Sequence, residues 1–176
     1  MAEHKILIAG GGTGGHLFPA LAIGEEIHHR EPGAKIHYVG SNFGLEAKVF
    51  PVKDVWHTLL PIRGFQRGIS LQSFGRNSLL PVRIIRSMLK IRSLMNEFLP
   101  QVVVGTGGYA SALPLYMASK KNNPLPIILQ EQNSYPGITT RWFADKAKTI
   151  CVAFNDANTH LEFDTVLTGN PVRQGI

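Results

Sequence analysis

The segment Ile6-Leu7-Ile8-Ala9-Gly10-Gly11-Gly12-Thr13-Gly14-Gly15-His16 contains an apolar run, a glycine turn and the approach to a helix-like stretch that begins at Phe18. The apolar run is typical of a buried strand. Glycines permit positive φ and close backbone approach, and the N–H groups and dipole of a helix N-terminus favour an anion. The segment therefore predicts a phosphate-binding turn. His16 beside it carries an imidazole, the side chain that most often transfers protons in enzymes, and is placed for that task.

Short β-branched runs, turns and helix-like stretches alternate along the rest of the chain. This alternation predicts an α/β protein with parallel strands, right-handed crossovers and helices on both faces of an open Rossmann-like sheet. Ligands of such sheets lie beyond the carboxyl ends of the strands. The predicted strands are 5–9, 36–39, 55–60, 101–104, 126–129, 148–152 and 165–167, and the predicted helices are 18–29, 45–50, 79–98, 110–120 and 139–144.

Length and composition predict one soluble globular domain, since the chain has 176 residues of which 44% are hydrophobic. The single cysteine, Cys151, excludes an internal disulfide and suits a reducing compartment. No apolar run approaches the ~18 residues of a membrane span, and the N-terminus has no signal-peptide pattern. We therefore expect the chain to stay in the cytoplasm.

The positive charge is concentrated between residues 55 and 96, where there are seven Arg and Lys residues and no Asp or Glu. This segment carries +7, so the other residues carry −1 of the +6 total. Cations interleaved with large apolar side chains suit an anionic membrane surface, whereas a solvated helix face is the structural alternative. Nucleic acid is not expected as a partner, because no helix-turn-helix, zinc-finger or RNP signature occurs. The predicted membrane patch comprises Phe65, Arg67, Ile69, Phe74, Arg76, Leu79 and Arg83.

Three further strand ends carry glycines or polar side chains. They are Gly105-Thr106-Gly107-Gly108-Tyr109, Gln130-Glu131-Gln132-Asn133-Ser134-Tyr135-Pro136-Gly137 and Thr168-Gly169-Asn170-Pro171-Val172-Arg173. Two glycine turns at one sheet edge favour a ligand with more than one phosphate, or two ligands. The carboxylate and amides of the second segment are suited to binding hydroxyls or orienting a base. The third segment is typical of a linker to a further domain.

Gly10, Gly12 and Gly15 satisfy the G-x-G-x-x-G pattern of a dinucleotide-binding domain, so an NAD(P)-dependent oxidoreductase is one alternative. The acidic residue expected after the second strand is replaced there by Gly40-Ser41-Asn42. A non-catalytic nucleotide- or lipid-binding module is the other alternative. No kinase-type P-loop occurs, and no Asp-x-Asp pair offers metal ligands, so neither a metal nor a cofactor is expected.

Four motifs, taken together and in order, resemble the MurG family of peptidoglycan N-acetylglucosaminyltransferases. They are Gly11-Gly12-Thr13-Gly14-Gly15-His16 with Pro19 and Ala20, Gly107-Gly108-Tyr109, Glu131-Gln132-Asn133, and Gly169-Asn170-Pro171-Val172-Arg173. The resemblance implies a GT-B fold in which residues 1–168 form the N-terminal, acceptor-binding domain. Residues 169–176 then begin the linker to a C-terminal, donor-binding domain that this sequence does not include.

The resemblance also implies the reaction. N-acetylglucosamine passes from UDP-N-acetylglucosamine to lipid I, an undecaprenyl diphosphate that carries a muramyl-pentapeptide, to give lipid II and UDP with inversion at the anomeric carbon. The expected location is the cytoplasmic face of the plasma membrane, where the protein is peripheral. We expect this chain alone to be inactive, because donor and acceptor halves must close on each other.

Residue roles follow from the motifs and the resemblance together. His16 is the hypothetical general base for the acceptor hydroxyl, and Tyr109 and Glu131 are weaker candidates for acceptor positioning or base support. The predicted donor-binding residues are Thr13, Gly14, Gly15, Asn133 and Arg173. The predicted acceptor and diphosphate-binding residues are Gly11, Gly12, Gly14, Gly15, His16, Gly107, Gly108 and Tyr109.

Overall fold

The computed structural model describes residues 4–64, 79–120 and 124–172. Its strands are β1 (Lys5–Gly10), β2 (Lys35–Ser41), β3 (His57–Leu60), β4 (Val102–Gly107), β5 (Ile127–Glu131), β6 (Thr149–Val152) and β7 (Val166–Leu167). Its helices are α1 (Gly14–Arg30), α2 (Glu46–Val52), α3 (Leu80–Phe98), α4 (Tyr109–Lys120) and α5 (Ile138–Phe143), with short 3₁₀ helices at Ala144–Lys146 and Asn155–His160.

The described strands form one parallel sheet in the order β3-β2-β1-β4-β5-β6-β7. The strand order reverses between β1 and β4, because the chain moves outward from β1 in one direction and outward from β4 in the other. At such a switch point the loops that follow the two central strands diverge and leave a crevice. The loops after β1 and β4 therefore form the expected ligand-binding edge.

Both faces of the sheet are covered, which explains why β1 reads as a continuous apolar run. Ile6 and Ile8 pack into a core cluster with residues of α1 and α2. Leu7 and Ala9 point to the other face, where residues of α3, α4 and α5 form the larger cluster. The predicted Rossmann-like parallel sheet with helices on both faces is confirmed.

Two predicted boundaries near the glycine turns are wrong. Helix α1 begins at Gly14 and not at Phe18, because Thr13 is extended and its carbonyl accepts the N–H of His16 and Leu17. Strand β4 continues through Gly105 to Gly107, since Gly107 still pairs with Gly10 across a register shift. The first turn of α1 and the end of β4 are thus brought side by side.

The side chain of His37, in β2, is buried against two aromatic side chains. His37 is 7% exposed, and its ring lies 5.4 Å from the ring of Phe98 and 5.8 Å from that of Trp56. Its Nε2 is 2.9 Å from Oγ1 of Thr58. Burial, with a smaller contribution from His57, lowers the pKa of His37 to about 4. The fold therefore favours the neutral imidazole.

This burial predicts a loss of stability in mild acid. The unfolded chain binds a proton at His37 near pH 6.5, while the folded chain resists protonation until about pH 4. The free energy of unfolding should therefore fall as the pH falls through this window, by roughly 2–3 kcal/mol from this residue. Urea titrations of wild type and His37→Gln between these pH values measure the difference.

His29→Gln is the matched control for this prediction, because His29 is exposed. It should keep the pH dependence of the wild type, whereas His37→Gln should flatten it. An identical acid slope in wild type and His37→Gln would contradict the assignment.

Candidate active site

The two glycine turns touch each other at the switch point. A Cβ on Gly108 would lie 2.0 Å from the carbonyl oxygen of Gly11, so no side chain fits between the turns. Gly12, Gly107 and Gly108 have φ of 94°, 95° and 77°, in the region that favours glycine. The glycines are thus required by backbone conformation and by the close approach of the loops.

His16 lies in the first turn of α1 and is bound to the end of β4. The Thr106 hydroxyl donates to the His16 carbonyl at 2.8 Å, and a Cβ on Gly10 would lie 1.8 Å from that hydroxyl oxygen. Nδ1 of His16 is 3.0 Å from the Thr106 carbonyl and 3.0 Å from Oε1 of Gln132. The imidazole is therefore held by β4 and by the segment that follows β5.

The Glu46 side chain binds the backbone of the first glycine turn. It is fully buried, and its Oε1 accepts the N–H of Ser41 at 2.7 Å. Both carboxylate oxygens lie 3.0 Å from the N of Gly12. A Cβ on Gly11 or Gly44 would collide with this carboxylate. The Glu46 carboxylate thus accepts a hydrogen bond from the backbone N–H of Gly12. In a dinucleotide-binding domain, a backbone N–H of this turn would donate to phosphate instead.

Sequence reasoning missed Glu46 because it looked for an acidic residue directly after β2. The acidic residue, Glu46, lies five residues after Ser41, at the start of α2. The chain turns back there and points the carboxylate at the glycine turn instead of toward the crevice.

Glu131 fixes the loop after β5. It is 2% exposed, and Oε1 accepts the backbone N–H of Asn133 at 3.0 Å and its side-chain amide at 2.8 Å. Oε2 accepts the N–H of Gly137 at 2.9 Å and the hydroxyl of Thr140 at 2.6 Å. These bonds hold residues 131–137 and the start of α5 as one unit. The Glu131 carboxylate therefore positions its loop.

The Tyr109 ring packs against two glycines, Gly12 and Gly64. A Cβ on Gly12 would lie 2.6 Å from its ring, and one on Gly64 would lie 3.1 Å from it. The Tyr109 ring therefore connects the first glycine turn to the chain after β3.

The other predicted site residues lie at the rim or outside the described residues. Thr13 and Asn133 are exposed, and Gly14 and Gly15 form the first turn of α1. Arg173 and five residues of the predicted membrane patch lie outside the described ranges, whereas Leu79 and Arg83 lie at the start of α3. The five are Phe65, Arg67, Ile69, Phe74 and Arg76.

A cavity of about 510 Å³ opens beside the imidazole. Its polar end is formed by His16, Gly107, Gly108, Tyr109 and Glu131. Its apolar lining comes from α3, α4, α5 and the chain after β3. The main apolar lining residues are Ile62, Leu80, Ile84, Ala112, Leu113, Ile138 and Trp142.

The seven-stranded parallel sheet of the described residues, together with the family match and a solved structure given next, is that of the α/β Rossmann-like N-terminal half of a GT-B glycosyltransferase. Residues 6–152 match the glycosyltransferase family 28 N-terminal domain, and the chain belongs to this family.

Curated relatives agree with this assignment. A Flavobacterium psychrophilum protein is 41% identical, with 100% of this chain and 47% of that protein covered. A Bacteroides thetaiotaomicron protein is 42% identical, with 99% and 45% covered. Both are named UDP-N-acetylglucosamine–N-acetylmuramyl-(pentapeptide) pyrophosphoryl-undecaprenol N-acetylglucosamine transferase. The chain therefore spans about half the length of the curated relatives it matches.

A solved structure shows the same fold. The crystal structure of Acinetobacter baumannii MurG aligns with a TM-score of 0.72 at 23% identity, covering 98% of this chain and 47% of that chain. The resemblance to the MurG family is confirmed by the relatives and the family match. The dinucleotide-dependent oxidoreductase is not favoured.

The contact between the glycine turns predicts a large effect of one methyl group. Gly108→Ala should lower the free energy of unfolding by roughly 3 kcal/mol or more, because the new Cβ meets the Gly11 carbonyl and φ is positive. Gly169→Ala is the matched control, since Gly169 has φ of 76° but a Cβ there has no neighbour within 4 Å. It should cost only the roughly 1–2 kcal/mol of the positive φ. Equal effects in urea titrations would contradict the predicted contact.

Proposed function

We propose that residues 1–168 are the acceptor-binding half of an inverting N-acetylglucosaminyltransferase. The donor is UDP-N-acetylglucosamine, the acceptor is lipid I, and the products are lipid II and UDP. Residues 169–176 lead toward a C-terminal half that binds most of the donor, so this chain alone is inactive. The observation that carries the proposal is the imidazole of His16 beside a large cavity at the switch point, in a chain whose relatives carry that transferase name.

His16 is the general base of this proposal. Its Nε2 accepts the proton of the acceptor 4-hydroxyl while that oxygen bonds to the anomeric carbon of the donor sugar. The bond from that carbon to UDP breaks on the opposite side, so the configuration inverts and UDP leaves. Tyr109 borders the acceptor in the cavity, and Glu131 acts through the loop that it holds.

The acceptor diphosphate is assigned to the polar end of the cavity. Gly107 and Gly108 let a ligand approach the backbone closely there. Gly14 and Gly15 supply amides at the N-terminus of α1, whose dipole favours an anion. Gly11 and Gly12 lie behind this site, against Gly108 and Tyr109, and the Gly12 amide itself is bonded to Glu46.

The donor is assigned to the exposed rim next to this cavity. Thr13 and Asn133 are exposed there, on the loops that follow β1 and β5. Thr13 and Asn133, together with Gly14, Gly15 and Arg173, would face a donor that is held mainly by the C-terminal half.

The membrane contact is assigned to an exposed stripe, defined here by Leu79, which directly precedes α3, and by Val82, Ile85 and Leu89 of that helix. These side chains are 50%, 47%, 59% and 62% exposed. They recur at helical spacing, on the side of α3 away from the buried Ile91 and Met95. The cations of the same helix are Arg83, Arg86, Lys90 and Arg92.

An aliphatic stripe with cations, in a segment 55–96 whose sequence has no Asp or Glu, suits a surface of anionic lipid. Arg83 also lies 5.1 Å from the ring of Phe43, and the Lys90 ammonium donates to the Leu59 carbonyl. Arg86 and Arg92 are exposed. Across the described ranges, no helix is both long and apolar enough to cross a bilayer. We assign the protein to the cytoplasmic face of the plasma membrane, as a peripheral protein.

The proposed base predicts a large loss of turnover when the imidazole is removed. The test joins this chain to the C-terminal half of the Flavobacterium psychrophilum relative and measures transfer of labelled N-acetylglucosamine to lipid I. His16→Ala should lower kcat by ~10²–10⁴-fold, which is the usual contribution of a general base. His4→Ala is the matched control, because His4 is exposed at the opposite end of β1.

Near-full turnover in His16→Ala would refute the base. No transfer by the unsubstituted chimera, under conditions in which the relative is active, would refute the proposed acceptor half. Calorimetric binding of NAD(P)H to the chain would instead favour the oxidoreductase alternative.

The stripe predicts salt-sensitive binding to anionic vesicles. Vesicles of phosphatidylcholine with phosphatidylglycerol should retain the chain in a sedimentation assay, and pure phosphatidylcholine should retain less. Replacing both Arg86 and Arg92 by Gln should weaken binding by roughly tenfold or more, since each cation near such a surface contributes about 1 kcal/mol. Added salt should also weaken binding to the anionic vesicles.

The apolar part has its own variant, in which Val82, Ile85 and Leu89 all become Ser. Its matched control is Val52→Ser with Phe163→Ser, because these two side chains are also exposed but lie outside α3. Equal binding by the stripe variant and the control variant would refute the stripe.

A further inference from the structure

We propose that Gln132 is a positioning residue that selects the tautomer of His16. It holds the proton on Nδ1 and leaves a lone pair on Nε2. The catalytic consequence rests on the proposed function, but the state of the ring is a separate property that can be measured without turnover.

The proton position follows from the two acceptors beside Nδ1. The Thr106 carbonyl oxygen lies 3.0 Å away and can only accept a hydrogen bond. Oε1 of Gln132 lies 3.0 Å away on the same nitrogen. Nδ1 must therefore carry the hydrogen. A neutral imidazole has one N–H, so Nε2 keeps its lone pair.

The orientation of the Gln132 amide is itself determined by the backbone. Its Nε2 donates to the carbonyl oxygens of Thr106 at 2.9 Å and of Gln130 at 3.1 Å. It also donates to Oε1 of Gln130. Because carbonyl oxygens only accept, the NH₂ end must face them. The oxygen end is thus turned toward the imidazole.

The network is buried on the side of Nδ1 and open on the side of Nε2. Gln132 and Thr106 are both buried, and within the described residues Nε2 of His16 has no hydrogen-bond partner. His16 also lines the cavity. The free lone pair is therefore the basic atom that remains for a ligand.

A neutral amide suits this task for a physical reason. It distinguishes the two ring nitrogens by hydrogen bonding, without placing a full negative charge against the imidazole. The Thr106 carbonyl alone offers one acceptor, and Gln132 adds the second. Removing Gln132 should therefore weaken the preference for the Nδ1–H form.

The test is long-range ¹H–¹⁵N correlation NMR on the ¹⁵N-labelled chain, at a pH where the imidazole is neutral. Wild type should show a protonated Nδ1 and an unprotonated Nε2 at His16. Gln132→Met keeps the length of the side chain and removes the acceptor, so the Nε2–H form should increase.

Gln101→Met is the matched control for this test. The Gln101 amide oxygen also accepts a hydrogen bond, from the N–H of Lys5 at 3.0 Å, but at the opposite end of the sheet. The control should leave the His16 tautomer unchanged. A backbone ¹H–¹⁵N spectrum of each variant verifies that the fold is kept, and Gln132→Leu replaces Gln132→Met if that variant does not fold.

Two results would overturn the proposal. One is a wild-type His16 that carries its proton on Nε2. The other is a folded Gln132→Met or Gln132→Leu variant whose tautomer equals that of wild type. In the chimera described above, Gln132→Met should lower kcat by about 10²-fold with little change in KM, as expected for a misplaced catalytic group. Turnover that survives His16→Ala would refute the base while leaving the measured tautomer in place.

Discussion

The site depends on the close approach of the loops after β1 and β4. Only glycine fits where the turns touch, since a Cβ on Gly108 would lie 2.0 Å from the Gly11 carbonyl. Thr106 then reaches the first turn of α1 and bonds to the His16 carbonyl. The backbone of His16 is thus tied to β4, and its imidazole is held by the Thr106 carbonyl and the Gln132 side chain.

Glu46 changes what the first glycine turn can do. In a dinucleotide domain the amides of this turn face the pyrophosphate, whereas here a buried carboxylate accepts the N–H of Gly12. The same backbone geometry therefore stabilises the turn internally. This explains why a sequence that satisfies the dinucleotide pattern need not bind a dinucleotide.

The alternation of apolar runs and helical stretches predicted the sheet, because both signals are local and repeat along the chain. The sequence also predicted that the motifs lie along one edge of the sheet, because parallel strands have their carboxyl ends at the same edge. The contacts of Gln132 and Glu46 could not be predicted. Each depends on where a side chain turns after its strand ends, and the partners Thr106 and Gly12 lie 26 and 34 residues away.

Helix α3 joins the cavity to the outer surface. Leu80 and Ile84 line the cavity, while Ile85 and Leu89 point away from the core on the same helix. A helix with its side chains is only about 10–12 Å across. For a chain seated on lipid through this helix, as proposed above, only this helix and the cavity would separate a hydroxyl at His16 from the bilayer. An acceptor with a long hydrocarbon tail could then react without being extracted from the membrane.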